Sequence, residues 1–174
     1  MLGSRPRQTV RTAGRNLVAM STTPRTRILV VDDEADIRIG LRSLFESTLK
    51  AEVVEASNAE EALEAIAKGP FHAILSDYKM PGMDGLKMLG KAQEIAPRTP
   101  RIMMTAYPDL DLAIQALNEA RILHFFAKPL EPDQVVEVLR KVIDAENALR
   151  QRDDALRRSL EVMRRKGTPP PSRP

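Results

Sequence analysis

Short apolar runs alternate along the chain with longer stretches in which apolar residues recur every three or four positions. The runs occupy residues 28–31, 52–56, 71–77, 102–105 and 122–127. Runs of this length predict strands, and the intervening spacing predicts amphipathic helices. Strands that alternate with helices are typical of βαβ units, which form a parallel sheet through right-handed crossovers. The sequence therefore predicts a five-stranded α/β fold.

We expect the sheet to be the flavodoxin-like, doubly wound (βα)5 type with strand order 2-1-3-4-5. In that order the first and third strands are neighbours, and ligands bind beyond the carboxyl ends of the strands. Asp32 and Asp33 directly follow the first strand, and Asp77 ends the third. These three carboxylates are therefore predicted to meet at one edge of the sheet.

Each acidic residue also has a simpler interpretation. Asp32 or Asp33 would serve as the N-cap of the next helix, and Asp77 would only begin a turn rich in proline and glycine. Capping explains one acidic residue, but hardly the run of three at residues 32–34.

The fourth and fifth strands also end in polar side chains, the hydroxyl of Thr105 and the ammonium of Lys128. Crowded carboxylates require a cation, and Mg²⁺ is expected because it prefers oxygen ligands and keeps positions open for water and phosphate. A carboxylate nucleophile, a metal, a hydroxyl and an ammonium form a set suited to phosphoryl transfer. Taken singly, Thr105 is also typical of a β-branched strand residue, and Lys128 of a solvated charge.

The charge distribution separates an acidic centre from basic ends. Residues 1–27 carry six arginines and no acidic residue, residues 28–131 carry 11 basic and 17 acidic residues, and residues 132–174 carry ten basic and seven acidic residues. The acidic centre argues against binding a phosphate backbone and favours a bound cation. The absence of Cys excludes disulfides and thiolate sites and fits a cytoplasmic location, and no apolar run is long enough to predict a membrane span.

Composition divides the chain into four parts. Residues 1–25 are predicted to form a disordered basic segment. One alternative is that translation begins at Met20, and another is that the segment is an organellar transit peptide. Residues 26–147 predict the globular domain, residues 148–166 a helical extension, and residues 167–174 a disordered proline-rich tail.

The last helix is predicted to run from about Glu131 to Lys166 and to carry a heptad pattern. One seam is apolar throughout and the other is polar in its middle: Val135, Val142, Leu149, Leu156 and Met163 form the first, and Leu139, Glu146, Asp153 and Leu160 the second. This pattern predicts a weak parallel coiled-coil homodimer, with a solvated helix as the alternative. The basic residues of the tail favour a solvated face over a nucleic-acid site.

Together, these motifs resemble the receiver domain of bacterial response regulators over about residues 26–147. They are the run Val-Val-Asp-Asp-Glu at residues 30–34, Asp77 followed by Met-Pro-Gly-Met-Asp-Gly at residues 80–85, Thr105-Ala106, and Lys128-Pro129. The resemblance implies a phosphoprotein of a two-component system that accepts a phosphoryl group on Asp77 from a sensor histidine kinase. We expect a stand-alone receiver, because the helical extension takes the place of the family's usual output domain. Such a protein catalyses only its own phosphorylation and dephosphorylation.

The resemblance also implies roles for the neighbouring residues. Asp33, Asp77 and the backbone carbonyl of Lys79 would bind Mg²⁺, and Asp32 would assist through water. Thr105 and Lys128 would hold the phosphoryl group.

Three further positions carry expectations from the same resemblance. Phe125 would be the switch aromatic, and the peptide bond before Pro129 would be cis. Lys79 and Tyr107 occupy positions that tune the lifetime of the phosphoryl group, and both are bulky, which predicts slow self-dephosphorylation.

Output is expected through protein contacts with a downstream effector. Phosphorylation would bias a face made of the helix predicted after Asp109, the fifth strand and the last helix. The alternative is a Mg²⁺-dependent phosphohydrolase with an Asp nucleophile, similar to haloacid dehalogenases, although those enzymes place Asp-x-Asp on the first strand and need a cap. A third hypothesis, DNA binding by the basic tail, predicts salt-dependent association.

Overall fold

The computed structural model describes residues 25–106 and 120–165, and strands and helices alternate as predicted over residues 27–105. The elements are β1 (Arg27–Val31), α1 (Ala35–Thr48), β2 (Glu52–Ala56), α2 (Ala59–Lys68), β3 (Ala73–Asp77), α3 (Gly85–Ile95), β4 (Arg101–Thr105), β5 (His124–Ala127) and α4 (Pro132–Arg165). The predictions for the basic N-terminal segment, Tyr107, the helix after Asp109 and the proline-rich tail lie outside the described residues.

The five strands form one parallel sheet in the order β2-β1-β3-β4-β5, which confirms the predicted flavodoxin-like topology. In this register Val31 lies beside Ser76, Asp77 beside Met104, and Thr105 beside Ala127. The carboxyl ends of β1, β3, β4 and β5 therefore meet at one edge of the sheet, where the acidic, hydroxyl and ammonium side chains were expected.

Both faces of the sheet are covered, because successive strand residues point to opposite faces. Leu29 and Val31 pack with α2 and α3, whereas Ile28 and Val30 pack with α1 and α4. A parallel sheet buried on both faces requires nearly continuous apolar strands, and this explains why the central strand β1 is apolar throughout from Ile28 to Val31.

The helix starts follow local capping chemistry. The side chain of Asn58 accepts a hydrogen bond from the backbone N–H of Glu61, and that of Asp84 accepts one from the N–H of Lys87. At α1 the N-cap is Glu34, whose side chain makes no capping hydrogen bond. The interpretation of Asp32 or Asp33 as the cap of α1 is therefore wrong.

Strand β5 is shorter than predicted. It begins at His124, which pairs with Ile102, rather than at Ile122. The preceding residue, Leu123, donates its N–H to the carbonyl of Arg101, the first residue of β4. Since β4 begins there, the chain before His124 has no further strand to pair with. His124 itself packs against Phe126 with ring centroids 4.5 Å apart.

Helix α4 confirms the long C-terminal helix to within one residue at each end. Its first half packs against the domain with five buried side chains: Val135, Leu139, Val142, Ile143 and Glu146. Four of these belong to the predicted heptad seams, so the first part of the heptad pattern belongs to the core of the domain. In the part of the chain that the structure describes, no helix has the length and apolar character needed to cross a bilayer.

Candidate functional site

Two buried carboxylates share one ammonium group at the carboxyl edge of the sheet. The Nζ of Lys128 lies 2.9 Å from Asp32 Oδ2 and 2.8 Å from Asp77 Oδ1. The Asp32 and Asp77 side chains are 0% and 7% exposed, and that of Lys128 is 16% exposed. β1, β3 and the residue after β5 thus converge on one charged cluster, as the strand order predicts.

Burial and charge act in opposite directions on the acid–base behaviour of this cluster. Burial raises the pKa of Asp77 above its usual value, and the hydrogen bond and charge of Lys128 only partly offset this effect. Burial also acts to lower the pKa of Lys128, but its contacts with Asp77 and Asp32 outweigh burial and the pKa is raised. Lys128 therefore remains an ammonium at neutral pH.

Backbone N–H groups fix the orientation of both carboxylates. Asp32 Oδ1 accepts a hydrogen bond from the N–H of Glu34 at 2.9 Å, and Asp77 Oδ2 accepts one from the N–H of Lys79 at 2.9 Å. In each case the donor lies two residues later, as in an Asx turn. Each carboxylate therefore presents its remaining oxygen to Lys128.

A second basic residue supports the loop after β1. The guanidinium of Arg38, in the first turns of α1, donates to the backbone carbonyl of Asp32 at 2.6 Å and lies 3.6 Å from the carboxylate of Glu55 on β2. This role of Arg38 was not predicted from the sequence. A basic residue one helical turn after the acidic run was the available signal.

Glycine is required at position 85 because the backbone of this residue lies very close to that of Asp77. A Cβ added at this position would lie 1.9 Å from the carbonyl oxygen of Asp77 and 2.9 Å from the Oγ of Ser76. The N–H of Gly85 also donates to the carbonyl of Tyr78. The sequence indicated Gly85 only as part of a turn, whereas the structure shows that α3 begins against the end of β3.

Asp33 is exposed, unlike Asp32. Among residues 25–106 and 120–165, no group of three or more acidic, His or Cys side chains is arranged to hold a metal ion. The predicted meeting of carboxylates is therefore found for Asp32 and Asp77, and the positive charge between them is that of Lys128. Since two carboxylates face one ammonium, the buried cluster has a net negative charge and oxygen donors, which fits a hard cation such as Mg²⁺.

The other predicted residues lie at or near the same edge. Thr105 is the buried last residue of β4, and its strand partner Ala127 directly precedes Lys128. Phe125 is partly buried against the core formed with α2 and α3. The peptide bond between Lys128 and Pro129 is cis, as the resemblance implies.

Comparisons with known proteins identify the same kind of domain. The family model described as response regulator receiver domain matches residues 28–140. Sporulation initiation phosphotransferase F of Bacillus subtilis is 36% identical over 117 residues, which cover 67% of this chain and 93% of that protein. A crystal structure of a CheY-like response regulator receiver domain protein from Methanospirillum hungatei JF-1 has a TM-score of 0.68 and 31% identity, covering 71% of this chain and 98% of that one.

A longer relative extends the match beyond the globular domain. Hydrogenase transcriptional regulatory protein HoxA of Cupriavidus necator is 31% identical over 144 residues, which cover 81% of this chain but only 30% of that protein. The chain thus spans less than a third of that relative's length. None of these similarities favours the phosphohydrolase alternative. The chain belongs to the response regulator receiver domain family, the phosphorylation-switched signalling modules of two-component systems.

Proposed function

We propose that Asp77 is the residue that accepts the phosphoryl group, from a phosphohistidine of a sensor kinase. The observation that carries this assignment is the 2.8 Å contact between Asp77 and Lys128 at the carboxyl edge of the sheet. Only this carboxylate combines a strand-end position on β3 with a direct ammonium contact and a small exposed fraction, among the residues that the structure describes.

The proposed transfer is a simple exchange of bonds at phosphorus. An oxygen of the Asp77 carboxylate attacks the phosphorus, the P–N bond to histidine breaks, and an acyl phosphate forms while the imidazole regains a proton. Lys128 would neutralise charge on the phosphoryl oxygens, and the hydroxyl of Thr105 would hold one of them. Attack of water on the same phosphorus would later release inorganic phosphate and restore the carboxylate.

Mg²⁺ fits the donor set of the site. Asp33 and Asp77, with the backbone carbonyl of Lys79, would bind the ion, and Asp32 would contribute through water. When bound, the ion supplies positive charge for the phosphoryl oxygens. This chain's residues would hold the carboxylate and exclude bulk water, since Asp32 and Asp77 are almost fully buried.

The signal would leave the domain through protein contacts. Phosphorylation would turn Lys128 from the carboxylates to the phosphoryl group and draw Thr105 towards it, and the neighbouring Phe125 would change its packing. Helix α4 follows β5 closely, so this change would alter the surface available to a downstream effector. Lys79 and Tyr107 would slow hydrolysis by crowding the attacking water. The protein would catalyse only its own phosphorylation and dephosphorylation.

Incubation with acetyl phosphate and Mg²⁺, followed by intact-mass spectrometry, tests this proposal. The wild type should gain one phosphoryl group, and Asp77→Asn should gain none. Asp36→Asn, which changes an exposed carboxylate of α1, is the matched control and should gain the group normally. Omission of Mg²⁺ should greatly reduce uptake.

Two outcomes would contradict the proposal. Phosphorylation of Asp77→Asn at the wild-type level would move the acceptor to another residue. Continuous release of phosphate from many small phosphate esters without a phosphorylated protein would instead favour the phosphohydrolase.

A further inference from the structure

The second half of α4 presents an apolar stripe that the domain does not cover. Leu149, Leu156 and Leu160 are 56%, 60% and 41% exposed, and Met163 continues the same line. The preceding heptad residues are buried in the domain. The exposed stripe is therefore the continuation of the core-facing side of the helix past the end of the globular body.

The base of this segment is anchored to the domain. The guanidinium of Arg150 donates to Glu146 at 2.7 Å and to the carbonyl of Phe71 at 2.7 Å. Asp153 forms an ion pair with Arg98, which precedes β4. These contacts connect the helix to the body on both sides of Leu149, so the stripe beyond them has a defined direction.

The stripe is narrow. At about 100° per residue, its four apolar side chains fall within about 60° of the helix circumference. Such a width is typical of a seam that packs against one other helix, whereas an interfacial membrane helix buries a broader apolar face. The shape of the stripe therefore favours a helical partner.

Arginines flank this stripe on both sides. With Leu149, Leu156 and Met163 at d positions and Leu160 at a, Arg157 and Arg164 occupy e positions and Arg152 occupies a g position. All three are exposed, and no ion pair within 4.0 Å is found for them among the described side chains. In helix pairs the e and g positions set partner choice through charge.

A second copy of this chain matches these flanks poorly. A parallel pair would place Arg152 opposite Arg157 of the other helix, and an antiparallel pair would also place arginine against arginine. This like-charge contact opposes the homodimer that the heptad pattern alone predicts.

We propose that residues 149–165 of α4 dock an acidic amphipathic helix of another protein. The apolar stripe would pack against the apolar face of that helix, and Arg152, Arg157 and Arg164 would pair with its flanking carboxylates. The inference concerns a surface remote from the acceptor and does not depend on Asp77 being phosphorylated, so the two proposals fail or succeed separately.

Titration of the full chain with two synthetic helical peptides tests the docking surface. Both peptides have about three heptads with Leu at a and d, and they carry either Glu or Lys at every e and g position. The Glu peptide should bind at least about tenfold more tightly than the Lys peptide, measured by fluorescence anisotropy. The double variant Arg157→Glu, Arg164→Glu should reverse this preference.

The matched control is Arg158→Glu, Arg165→Glu, which makes the same change in charge one position further along. These residues are at f positions, away from the stripe, so the variant should retain the preference for the Glu peptide within about threefold. A further variant, Leu156→Gln, should bind the Glu peptide at least about fivefold more weakly. All variants should keep the wild-type circular dichroism spectrum, since the changed side chains are exposed.

Four results would overturn the proposal. The first two are equal binding of the two peptides and equal effects of the e-position and f-position variants. The third is self-association of the wild type that competes with binding of the Glu peptide. The fourth is binding to a DNA duplex or to phosphatidylglycerol vesicles that is tighter than binding to the Glu peptide at the same ionic strength.

Discussion

Buried charged side chains lie at both edges of the sheet, and different partners stabilise them. At the carboxyl edge, Asp32 and Asp77 are held by the ammonium of Lys128. At the amino edge, Arg101 is 4% exposed, and its guanidinium donates to three backbone carbonyls: Thr99 and Ala120 at 2.8 Å and Ala96 at 3.3 Å. One edge pairs side chain with side chain, and the other pairs side chain with backbone.

The carboxyl edge is therefore suited to chemistry, whereas the amino edge stabilises the fold. A side-chain ion pair can exchange partners through small rotamer changes, so in the proposed function Lys128 would turn to a phosphoryl group or share its carboxylates with a cation. Backbone carbonyls are fixed by the fold, so Arg101 cannot leave them without leaving several polar groups unsatisfied. The edge with exchangeable partners is the one suited to a switch.

The largest effect is expected from Gly85→Ala at the carboxyl edge. The new methyl group would collide with the Asp77 carbonyl, so the variant should lose at least about 3 kcal/mol of unfolding free energy. Gly90→Ala is the matched control, because its Cβ would meet no atom within 4 Å and should raise stability by up to about 1 kcal/mol. Urea denaturation measures both, and a Gly85→Ala loss below about 0.5 kcal/mol would contradict the close approach.

Lys128→Met tests the exchangeable pairing. Removal of the ammonium leaves two buried carboxylates without their counter-charge and removes a group expected to stabilise the phosphoryl oxygens. Uptake from acetyl phosphate should fall about a hundredfold. Uptake at the wild-type rate would show that the contact is only structural.

Arg101→Met tests the fixed pairing. Loss of the guanidinium leaves three backbone carbonyls without their donor, so unfolding free energy should fall by about 2 kcal/mol. Because the residue lies at the opposite edge, the folded variant should take up phosphoryl groups within about threefold of the wild-type rate. A much larger loss of uptake in the folded variant would show that Arg101 at the amino edge also affects phosphorylation at the carboxyl edge.

His72→Asn tests the pH dependence of the amino edge. Nδ1 of His72 accepts a hydrogen bond from the N–H of Arg27, and its buried Nε2 has no hydrogen-bond partner among the residues that the structure describes. Burial, and then the charge of Arg150, lower the pKa of His72 below its usual value of 6.5, although Glu146 partly opposes this effect. At pH values below about 6.5, His72 therefore binds more protons in the unfolded chain than in the folded protein. The stability that its neutral form contributes is fully present above about pH 6.5 and is lost as the pH falls below that value.

Denaturation at pH 7.5 and 5.5 measures this loss, which should be smaller in His72→Asn by about 1 kcal/mol. Part of the dependence should remain, because burial also lowers the pKa of His124. An unchanged pH dependence in the variant would show that protonation of His72 does not destabilise the folded protein.

The smallest effect is expected from Arg98→Gln. Its ion pair with Asp153 is exposed, with 79% of the Arg98 side chain accessible. Exposed pairs contribute little, so thermal denaturation should shift by about 2 °C or less. A larger shift would show that this contact is a main anchor of α4.

The fold was largely predictable because its signals are local and mutually consistent. The apolar runs of β1 and β3 each indicated their element, and the strand order followed from general rules of α/β topology. The boundary of β5 was less predictable, since Ile122 continues the apolar run but has no strand residue to pair with.

The candidate site was predictable for the same reason. Asp32, Asp77 and Lys128 each follow or end a strand, and a parallel sheet brings such positions to one edge. The roles of Gly85 and Arg38 were not predictable, because each depends on a distance between residues on different elements.

The C-terminal helix shows most clearly where local pattern ends and packing begins. Its sequence alone determined that it is helical and that apolar residues recur every seventh position, since both properties depend on neighbours along the chain. Only the tertiary structure decided that Val135, Leu139 and Val142 pack into the domain, whereas Leu149 and Leu156 remain exposed. A heptad pattern specifies a seam but not its partner, because side chains of the same kind bury equally well against the chain's own sheet or against another helix.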